Sequence, residues 1–451
     1  MSSSEFAAID EQRLGAFHWR AMLTTGLGVF CDGYDISSIS LVLGPALKAY
    51  GVARMTNFEA GALTASALVG SALGALAFGL LAQKGRKRFY GFDMAILGVA
   101  ALAQAFMPTL GWLIACRFVL GLGVGADYVL SPTIMAEHAN RRDRGRTMSL
   151  GFGVMWPVGA LAAALVKLAL DALRVPPDLS WRIVLAGGAL PALAVLYFRR
   201  AMPETARYLA RIGADGEEAM RVMEAIGGAP AAAPAADERP FGQVFARHAR
   251  HIFSAALIWM VYDLVVYAAV LFGPNLIAQN LGMAPAVYTA LTQTIFVLPA
   301  SLVIAWFLID GLGRKPLQVG GFLAAAAVLV VFAIMRARPG GSAVLAFVVY
   351  GLFNVAQTGP GLVAGAGMWG VELAPTRIRS VAQSVTVVGG RIGASISAFL
   401  FPVLFGRLGL FTSMMLLAGL AVLGGLLSQA LVPETSGRSL EEISLEEAPA
   451  T

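Results

Sequence analysis

The chain has 451 residues, of which 58% are hydrophobic and only 13% are charged, and its mean hydropathy is +0.73. Soluble domains carry roughly 25% charged residues, so this composition excludes an ordinary soluble protein and indicates a chain that crosses a membrane many times. The two cysteines lie inside apolar segments and the four histidines show no metal-ligand spacing. We therefore expect neither a disulfide framework nor a metal site.

Apolar stretches of about 20 residues, the length at which a helix crosses a bilayer, recur along the chain. We predict an all-α membrane protein with twelve transmembrane helices. The predicted spans are 21–46, 60–82, 89–108, 110–137, 147–170, 181–199, 250–276, 286–309, 316–335, 342–373, 380–404 and 409–432. Lys and Arg concentrate in the segments that join these spans on one side, which places that side and both termini in the cytoplasm. The net charge of +6 thus reflects topology, and we expect no nucleic-acid partner.

Three short motifs occur twice, with the second copy about 230 residues after the first. They are "GRK" at 85–87 and 313–315, a Glu followed by an Arg-rich loop at 137–144 and 372–379, and "PET" at 203–205 and 433–435. A repeat that contains six spans keeps its orientation in the membrane, so the pattern predicts two parallel halves. We place the halves at 1–199 and at 250–451, the latter with a short cytoplasmic tail. Between them, residues 200–249 include the linker composition "GGAPAAAPAADERP".

These motifs resemble those of the major facilitator superfamily. "PETARYL" (203–209) and "PETSGRSLEEI" (433–443) resemble the ends of the two halves in its sugar-porter-like branch, and "DGLGRKP" (310–316) resembles its loop motif. Arg and Glu at such helix ends either pair as a latch when the cytoplasmic side is closed or are solvated charges that set the topology. The predicted latch residues are Arg86, Glu137, Arg144, Glu204, Asp310, Arg314, Glu372, Arg379 and Glu434. Gln83 stands where the family has Asp, so we expect the two halves to be latched differently.

A charge inside a membrane span is costly and indicates a functional site. The acidic residues that we single out inside predicted spans are Asp32, Asp35, Asp127 and Asp263. Asp32 and Asp35 are three residues apart and share a helix face. Two buried carboxylates side by side favour binding of a proton. Trp259, Asp263 and Tyr267 follow each other at intervals of four residues and form one stripe. The alternative is that Asp263 only makes a hydrogen-bonded contact between helices.

The surroundings of these acids carry a narrower resemblance. "CDGYD" (31–35) resembles the first helix of proton-coupled phosphate and aromatic-acid symporters, and "GLGVGADYVLSPTIMAE" (121–137) is similar to phosphate:proton symporters. The resemblance implies that Asp32 and Asp35 carry the proton. It also implies a substrate site, which consists of Asp127, Tyr128, Trp259, Asp263 and Tyr267. Gly361 departs from that group, which has Asn at this position.

Among the arginines inside predicted spans, we single out Arg117 and Arg391. Arg391, in "GGRIGAS", has a setting shared by organic-acid symporters, and Arg117 opens the fourth span. Each arginine either binds a substrate carboxylate or forms a structural ion pair with a buried Asp. We include Arg391 among the predicted substrate-binding residues.

The prediction is a proton-coupled symporter of a small anion, such as phosphate or a small organic acid, that works by alternating access. Transport of a sugar or other neutral metabolite is the alternative, and a non-transporting nutrient sensor is a remote one. The sequence has no Walker motif, and we expect no enzyme activity, no catalytic residue and no cofactor. The expected partners are the anion, protons and the lipid bilayer. We expect a monomer that crosses the cell (inner) membrane many times.

Overall fold

The computed structural model describes residues 5–52, 57–228, 233–337 and 342–446, and this part of the chain is helical without strands. Twelve helices form the membrane bundle. They are α1 Ala16–Ala49, α2 Asn57–Leu81, α3 Phe92–Gln104, α4 Leu110–His138, α5 Arg144–Ala172, α6 Pro177–Arg199, α7 Phe241–Phe272, α8 Pro285–Leu308, α9 Arg314–Ala337, α10 Ala343–Glu372, α11 379–408 and α12 410–431. The twelve-helix fold predicted from the sequence is confirmed.

Four helices differ in extent from the prediction. α11 and α12 follow each other without a loop and meet at a kink at Gly409, whose φ of 74° lies in the left-handed region. α3 has 13 residues and begins only at Phe92, because Gly85 and Gly91 adopt positive φ angles and interrupt the preceding segment. α7 begins at Phe241, nine residues before the predicted start of its span.

Close packing of the bundle depends on small residues, as the glycine pattern of α2 and α4 indicates. A Cβ atom on Gly125 of α4 would collide with the carbonyl oxygen of Ser71 in α2, and one on Gly70 of α2 would collide with the carbonyl oxygen of Phe118. Such contacts let the backbones of membrane helices approach each other. α2 also packs against α11, and α5 packs against α8, so these two pairs join the helices of the first part of the chain to those of the second.

Both ends of the described chain lie on one side of the bundle, which we call the terminal face. Arg207, in the short helix Ala206–Arg211, pairs with Asp10 near the N-terminus at 2.9 Å and with Glu441 near the C-terminus at 2.8 Å. A second short helix, Gly216–Ala225, follows in the predicted linker. Residues 229–232 of that linker lie outside the described residues. The division into halves at 199 and 250 stays a prediction.

Candidate functional site

A central cavity of about 150 Å³ lies between α1, α4, α5, α7, α8, α10 and α11. Four π-helical segments contribute to its wall. They are Ser149–Val154 in α5, Gly273–Ile277 after α7, Gln293–Val297 in α8 and Gly361–Gly365 in α10. A π-helical turn loosens the regular hydrogen-bond ladder and often marks a functional position. The helices around the cavity are therefore interrupted where they face it.

Arg391 of α11 provides the positive charge of the cavity. Its Nη1 donates to Tyr267 Oη at 2.7 Å and lies 3.6 Å from Asp263 Oδ2, and its Nε donates to Ser71 Oγ of α2 at 3.0 Å. The guanidinium stacks over the Tyr128 ring, with 4.3 Å from Cζ to the ring centroid. Nη2 is buried and has no hydrogen-bond partner within the described residues. The side chain is thus oriented by its neighbours while one donor stays free.

The predicted stripe on α7 forms one wall of this cavity. Trp259, Asp263 and Tyr267 all line it and are at most 5% exposed, and the Tyr128 and Trp259 ring centroids are 6.2 Å apart. Five of the six predicted substrate-site residues, Arg391 included, therefore meet at one place. Whether they bind substrate stays a prediction.

Gly361 lines the cavity opposite Tyr262 of α7. A Cβ atom on Gly361 would come within 2.6 Å of Tyr262 Oη. A tyrosine hydroxyl thus takes the space into which an asparagine side chain at 361 would extend. Gly361 is the position at which the chain departs from the phosphate-symporter pattern, and Tyr262 lies directly beside it. Tyr262 was not among the predicted site residues.

Asp127, the sixth predicted substrate-site residue, is turned away from Arg391 and belongs to a buried ion-pair cluster. Its Oδ1 accepts from Arg199 Nη2 and from Ser131 Oγ, both at 2.5 Å, and Arg199 also pairs with Asp93. Its neighbour Tyr128 faces the cavity instead, because consecutive residues of a helix point in different directions. The partner Arg199, at the predicted end of α6, was not among the predicted site residues.

Asp32 and Asp35 are fully buried in α1, and none of their four carboxylate oxygens has a hydrogen-bond partner in the part of the chain that the structure describes. A Cβ atom on Gly188, between the two segments of α6, would overlap the Asp35 carboxylate. Asp32 lies one turn after Gly28, where α1 packs directly on the Arg199–Asp127 pair. Their assignment to the proton path stays a prediction.

The predicted latch residues meet on the terminal face in two equivalent clusters. In the first, Glu137 at the end of α4 accepts from Arg86 Nη2 at 2.6 Å and from Arg379 Nη1 of α11 at 2.8 Å through Oε1. Its Oε2 accepts from Thr205 Oγ1 at 2.5 Å. All four residues are fully buried, so the cluster closes the terminal face between α4 and α11.

The second cluster repeats this geometry around Glu372 at the end of α10. Its Oε1 accepts from Arg144 Nε of α5 at 2.7 Å and from Arg314 Nη2 at 3.4 Å, and its Oε2 accepts from Thr435 Oγ1 at 2.5 Å. The threonines of the two "PET" motifs therefore have the same role. Sequence analysis singled out only the glutamates of these motifs, although the repeated triplet contained the signal.

The glutamates of the "PET" motifs accept hydrogen bonds from backbone N–H groups of the "GRK" loops. Glu204 Oε2 accepts from the N–H of Lys87 at 3.0 Å, and Glu434 accepts from the N–H groups of Arg314 and Lys315, each at 3.0 Å. Burial raises the pKa of the Glu204 carboxyl, an effect that Arg86 and the N–H groups of Thr205 and Lys87 reduce. The glutamates thus fix the loops from which the latch arginines extend.

Gln83 and Asp310, at matching positions of the two copies, make different contacts. Gln83 Nε2 donates to Ser380 Oγ of α11 at 2.7 Å. Asp310 pairs with Arg314 at 2.8 Å and accepts from the N–H of Gly145 in α5 at 3.0 Å. The first copy therefore has a neutral bond where the second has an ion pair.

Comparison with known proteins agrees with the architecture. The family described as "Sugar (and other) transporter" matches residues 21–446. The chain is 31% identical to "Probable inorganic phosphate transporter 1-6" of Arabidopsis thaliana, over 98% of this chain and 96% of the relative. It is 32% identical to "Inorganic phosphate transporter 1-11" of Oryza sativa subsp. japonica, over 98% of this chain and 90% of the relative.

Among solved structures, the fold matches the major facilitator superfamily proton:xylose symporter XylE bound to 6-bromo-6-deoxy-D-glucose, with a TM-score of 0.81 and 22% identity. That match covers 96% of this chain and 99% of XylE. An inward-open conformation of XylE from E. coli matches with a TM-score of 0.68, 21% identity and coverage of 95% and 99%. The chain is thus an integral membrane protein of the sugar (and other) transporter family, with the fold of the major facilitator superfamily.

Proposed function

We propose that this transporter is a proton-coupled symporter of a small anion, either phosphate or a small organic acid. The observation that carries the proposal is the free Nη2 of Arg391, a buried donor on a permanent cation that faces the central cavity. A buried donor without a partner is costly, and an anion satisfies both its charge and its hydrogen bond. A neutral sugar could accept a hydrogen bond from this Nη2 but would bring no charge to balance that of Arg391.

The relatives support phosphate or a chemically similar anion, because their names describe inorganic phosphate transporters. The replacement of Asn by Gly361 beside Tyr262 changes one wall of the site, so a small organic acid stays within the proposal. The anion binds between Arg391 and the aromatic side chains of Tyr128, Trp259 and Tyr267.

Protons are carried by Asp32 and Asp35 in this proposal. Both carboxylates are buried and have no hydrogen-bond partner among the described residues, and an uncompensated charge in such a place is costly. With proton and anion bound, the carrier opens the latch on the terminal face and closes the opposite side. We place the terminal face in the cytoplasm of a cell whose inner membrane holds the protein as a monomer, in accordance with the distribution of Lys and Arg.

Counterflow into proteoliposomes tests the proposal. Vesicles are loaded with unlabelled phosphate, lactate, benzoate or xylose, and uptake of the radiolabelled form of each compound is followed. We expect transient accumulation with at least one anion and none with xylose. Accumulation of xylose alone would overturn the proposal in favour of a neutral substrate. Vesicles with Arg391→Met protein provide the control, since this variant should lose anion counterflow.

A further inference from the structure

We propose that the substrate is a hydroxylated organic anion, whose charged head binds Arg391 while its hydroxyl groups bind a polar stripe on α8 and α10. This inference rests on the proposed function and narrows its substrate class. The stripe consists of Thr289, Gln293 and Ser301 on α8 and Gln357 on α10, and all four side chains line the central cavity.

The polar atoms of this stripe lack partners. Thr289 Oγ1, Gln293 Oε1, Ser301 Oγ and Gln357 Oε1 are buried atoms without a hydrogen bond to any described residue. Thr289 is 6% exposed and Ser301 is fully buried. Native proteins leave few buried polar atoms unpaired, so four of them along one cavity indicate a ligand or the water that it displaces.

The chemistry of these atoms specifies what the ligand must offer. The two amide oxygens only accept, and the two hydroxyls both donate and accept. Gln357 is fixed in this orientation because its Nε2 donates to Asn354 Oδ1 at 3.0 Å. A ligand that satisfies the stripe therefore brings O–H donors. An alkyl chain would displace the water and leave the oxygens unpaired.

The stripe is too long for a single tetrahedral anion. Thr289 and Gln293 are one turn apart on α8, Ser301 follows eight residues later, and all three line the cavity. At 1.5 Å per residue, the twelve residues from Thr289 to Ser301 span about 18 Å. The π-helical segment Gln293–Val297 begins within this stretch. A phosphate ion held on Arg391 touches only a small part of such a wall, whereas a chain with several hydroxyls extends along it.

Counterflow measured in wild-type proteoliposomes tests the inference without any substitution. The probes are D-gluconate, glycerol 3-phosphate, hexanoate and inorganic phosphate, and counterflow of each is measured together with its half-saturating concentration. We expect the better of the two hydroxylated anions to half-saturate transport at a concentration at least tenfold below those of hexanoate and phosphate. Whether gluconate or glycerol 3-phosphate is better distinguishes a carboxylate head from a phosphate head.

Two variants test whether the polar stripe causes the difference in half-saturating concentration. Thr289→Val should raise the half-saturating concentration of the better hydroxylated anion about tenfold and leave that of phosphate unchanged. Thr358→Val is the matched control, because Thr358 also lines the cavity but its hydroxyl already donates to Asn354 O at 2.9 Å. If phosphate or hexanoate half-saturates as well as the hydroxylated anions, the inference is overturned while the proposed function stands. If no anion shows counterflow, both are overturned.

Discussion

Glu137 of α4 and Arg379 of α11 form a fully buried ion pair, with 2.8 Å between Oε1 and Nη1. The pair Arg144–Glu372, at 2.7 Å, joins α5 to the end of α10 in the same way. Breaking a buried pair by removal of one partner costs about 3–5 kcal/mol, because the other charge is left uncompensated. We therefore expect these pairs to oppose opening of the terminal face until water reaches their charged groups.

The unequal contacts of Asp310 and Gln83 predict unequal effects of substitution. Asp310→Asn removes the ion pair with Arg314 and weakens the bonds to the N–H groups of α5, whereas Gln83→Ala removes one neutral bond. We expect Asp310→Asn to favour opening of the terminal face several-fold more strongly. The measurement is labelling of a cysteine introduced at Leu362, a cavity residue that is 1% exposed, by a reagent added on that side.

The background for this labelling carries Cys31→Ser and Cys116→Ser, which remove both native thiols. Equal labelling rates in Asp310→Asn and Gln83→Ala would contradict the asymmetry of the two copies. Labelling from the opposite side provides the control and should fall as labelling on the terminal face rises.

Arg391 should determine affinity for the anion. Arg391→Met removes the buried donor and charge, and we expect the half-saturating concentration to rise about 30-fold or more, since loss of one partner of such a pair costs at least about 2 kcal/mol. Arg391→Lys keeps the charge but not the planar group that contacts Ser71 and Tyr267, so its effect should be smaller. Arg117→Lys is the matched control, because Arg117 is equally buried but donates to Gln104 at 3.0 Å. Wild-type affinity in Arg391→Met would exclude Arg391 from the site.

Asp263 should make anion affinity depend on pH. Its carboxylate lies 3.6 Å from Arg391 Nη1, so an anion bound to Arg391 would face a like charge. At about 4 Å and an effective dielectric constant of about 20, two like charges repel by about 4 kcal/mol. Protonation of Asp263 removes this repulsion, so wild-type affinity should rise as pH falls from 8 to 5. Asp263→Asn should bind with little dependence on pH, which titration of the detergent-solubilised protein measures. The same pH dependence in both proteins would leave Asp263 as a structural contact.

Glu441 should stabilise the terminal face in a pH-dependent manner. Burial alone would raise the pKa of this carboxyl, but Arg207 at 2.8 Å lowers it to about 2. A pKa below the ordinary value of 4.5 means that the stabilisation is complete above pH 4.5 and is lost as pH falls towards 2. The shift corresponds to about 3 kcal/mol at most.

We therefore expect Glu441→Gln to lower the apparent Tm in detergent by several degrees at pH 7, with a smaller difference from wild type at pH 3.5. Glu218→Gln is the control, because Glu218 pairs with Arg221 at an exposed position and such pairs contribute little. A difference between Glu441→Gln and wild type that stays constant from pH 7 to pH 3.5 would refute this role of the Arg207–Glu441 pair.

The membrane fold was predictable because hydrophobic length and charge asymmetry act locally along the chain. The same holds for the latch positions, since the "GRK" and "PET" motifs repeat with the helices that carry them. The meeting of Tyr128, Asp263 and Arg391 was predicted only through a resemblance, because their contact depends on how distant helices pack.

Other features of the structure could not be predicted from the sequence. Arg199 stands at the end of a predicted span, where an arginine normally reaches the interface, yet it turns inwards to Asp127. The π-helical segments around the cavity arise from packing and from residues such as Pro274 and Pro360, and helical periodicity does not reveal them. The polar stripe on α8 and α10 could not be predicted either, because the lack of hydrogen-bond partners for its atoms depends on how the helices pack.

The most direct test of proton-coupled anion transport is uptake of a radiolabelled anion into proteoliposomes under an imposed pH gradient. The anion is the one that shows counterflow, and uptake is compared with the outside at pH 5.5 or pH 7.5 and the inside at pH 7.5. We predict that the acidic outside drives accumulation above equilibrium, that a protonophore abolishes it, and that Asp32→Asn and Asp35→Asn lose it while retaining exchange. Accumulation that is the same with and without the gradient, in the wild type, would contradict proton coupling.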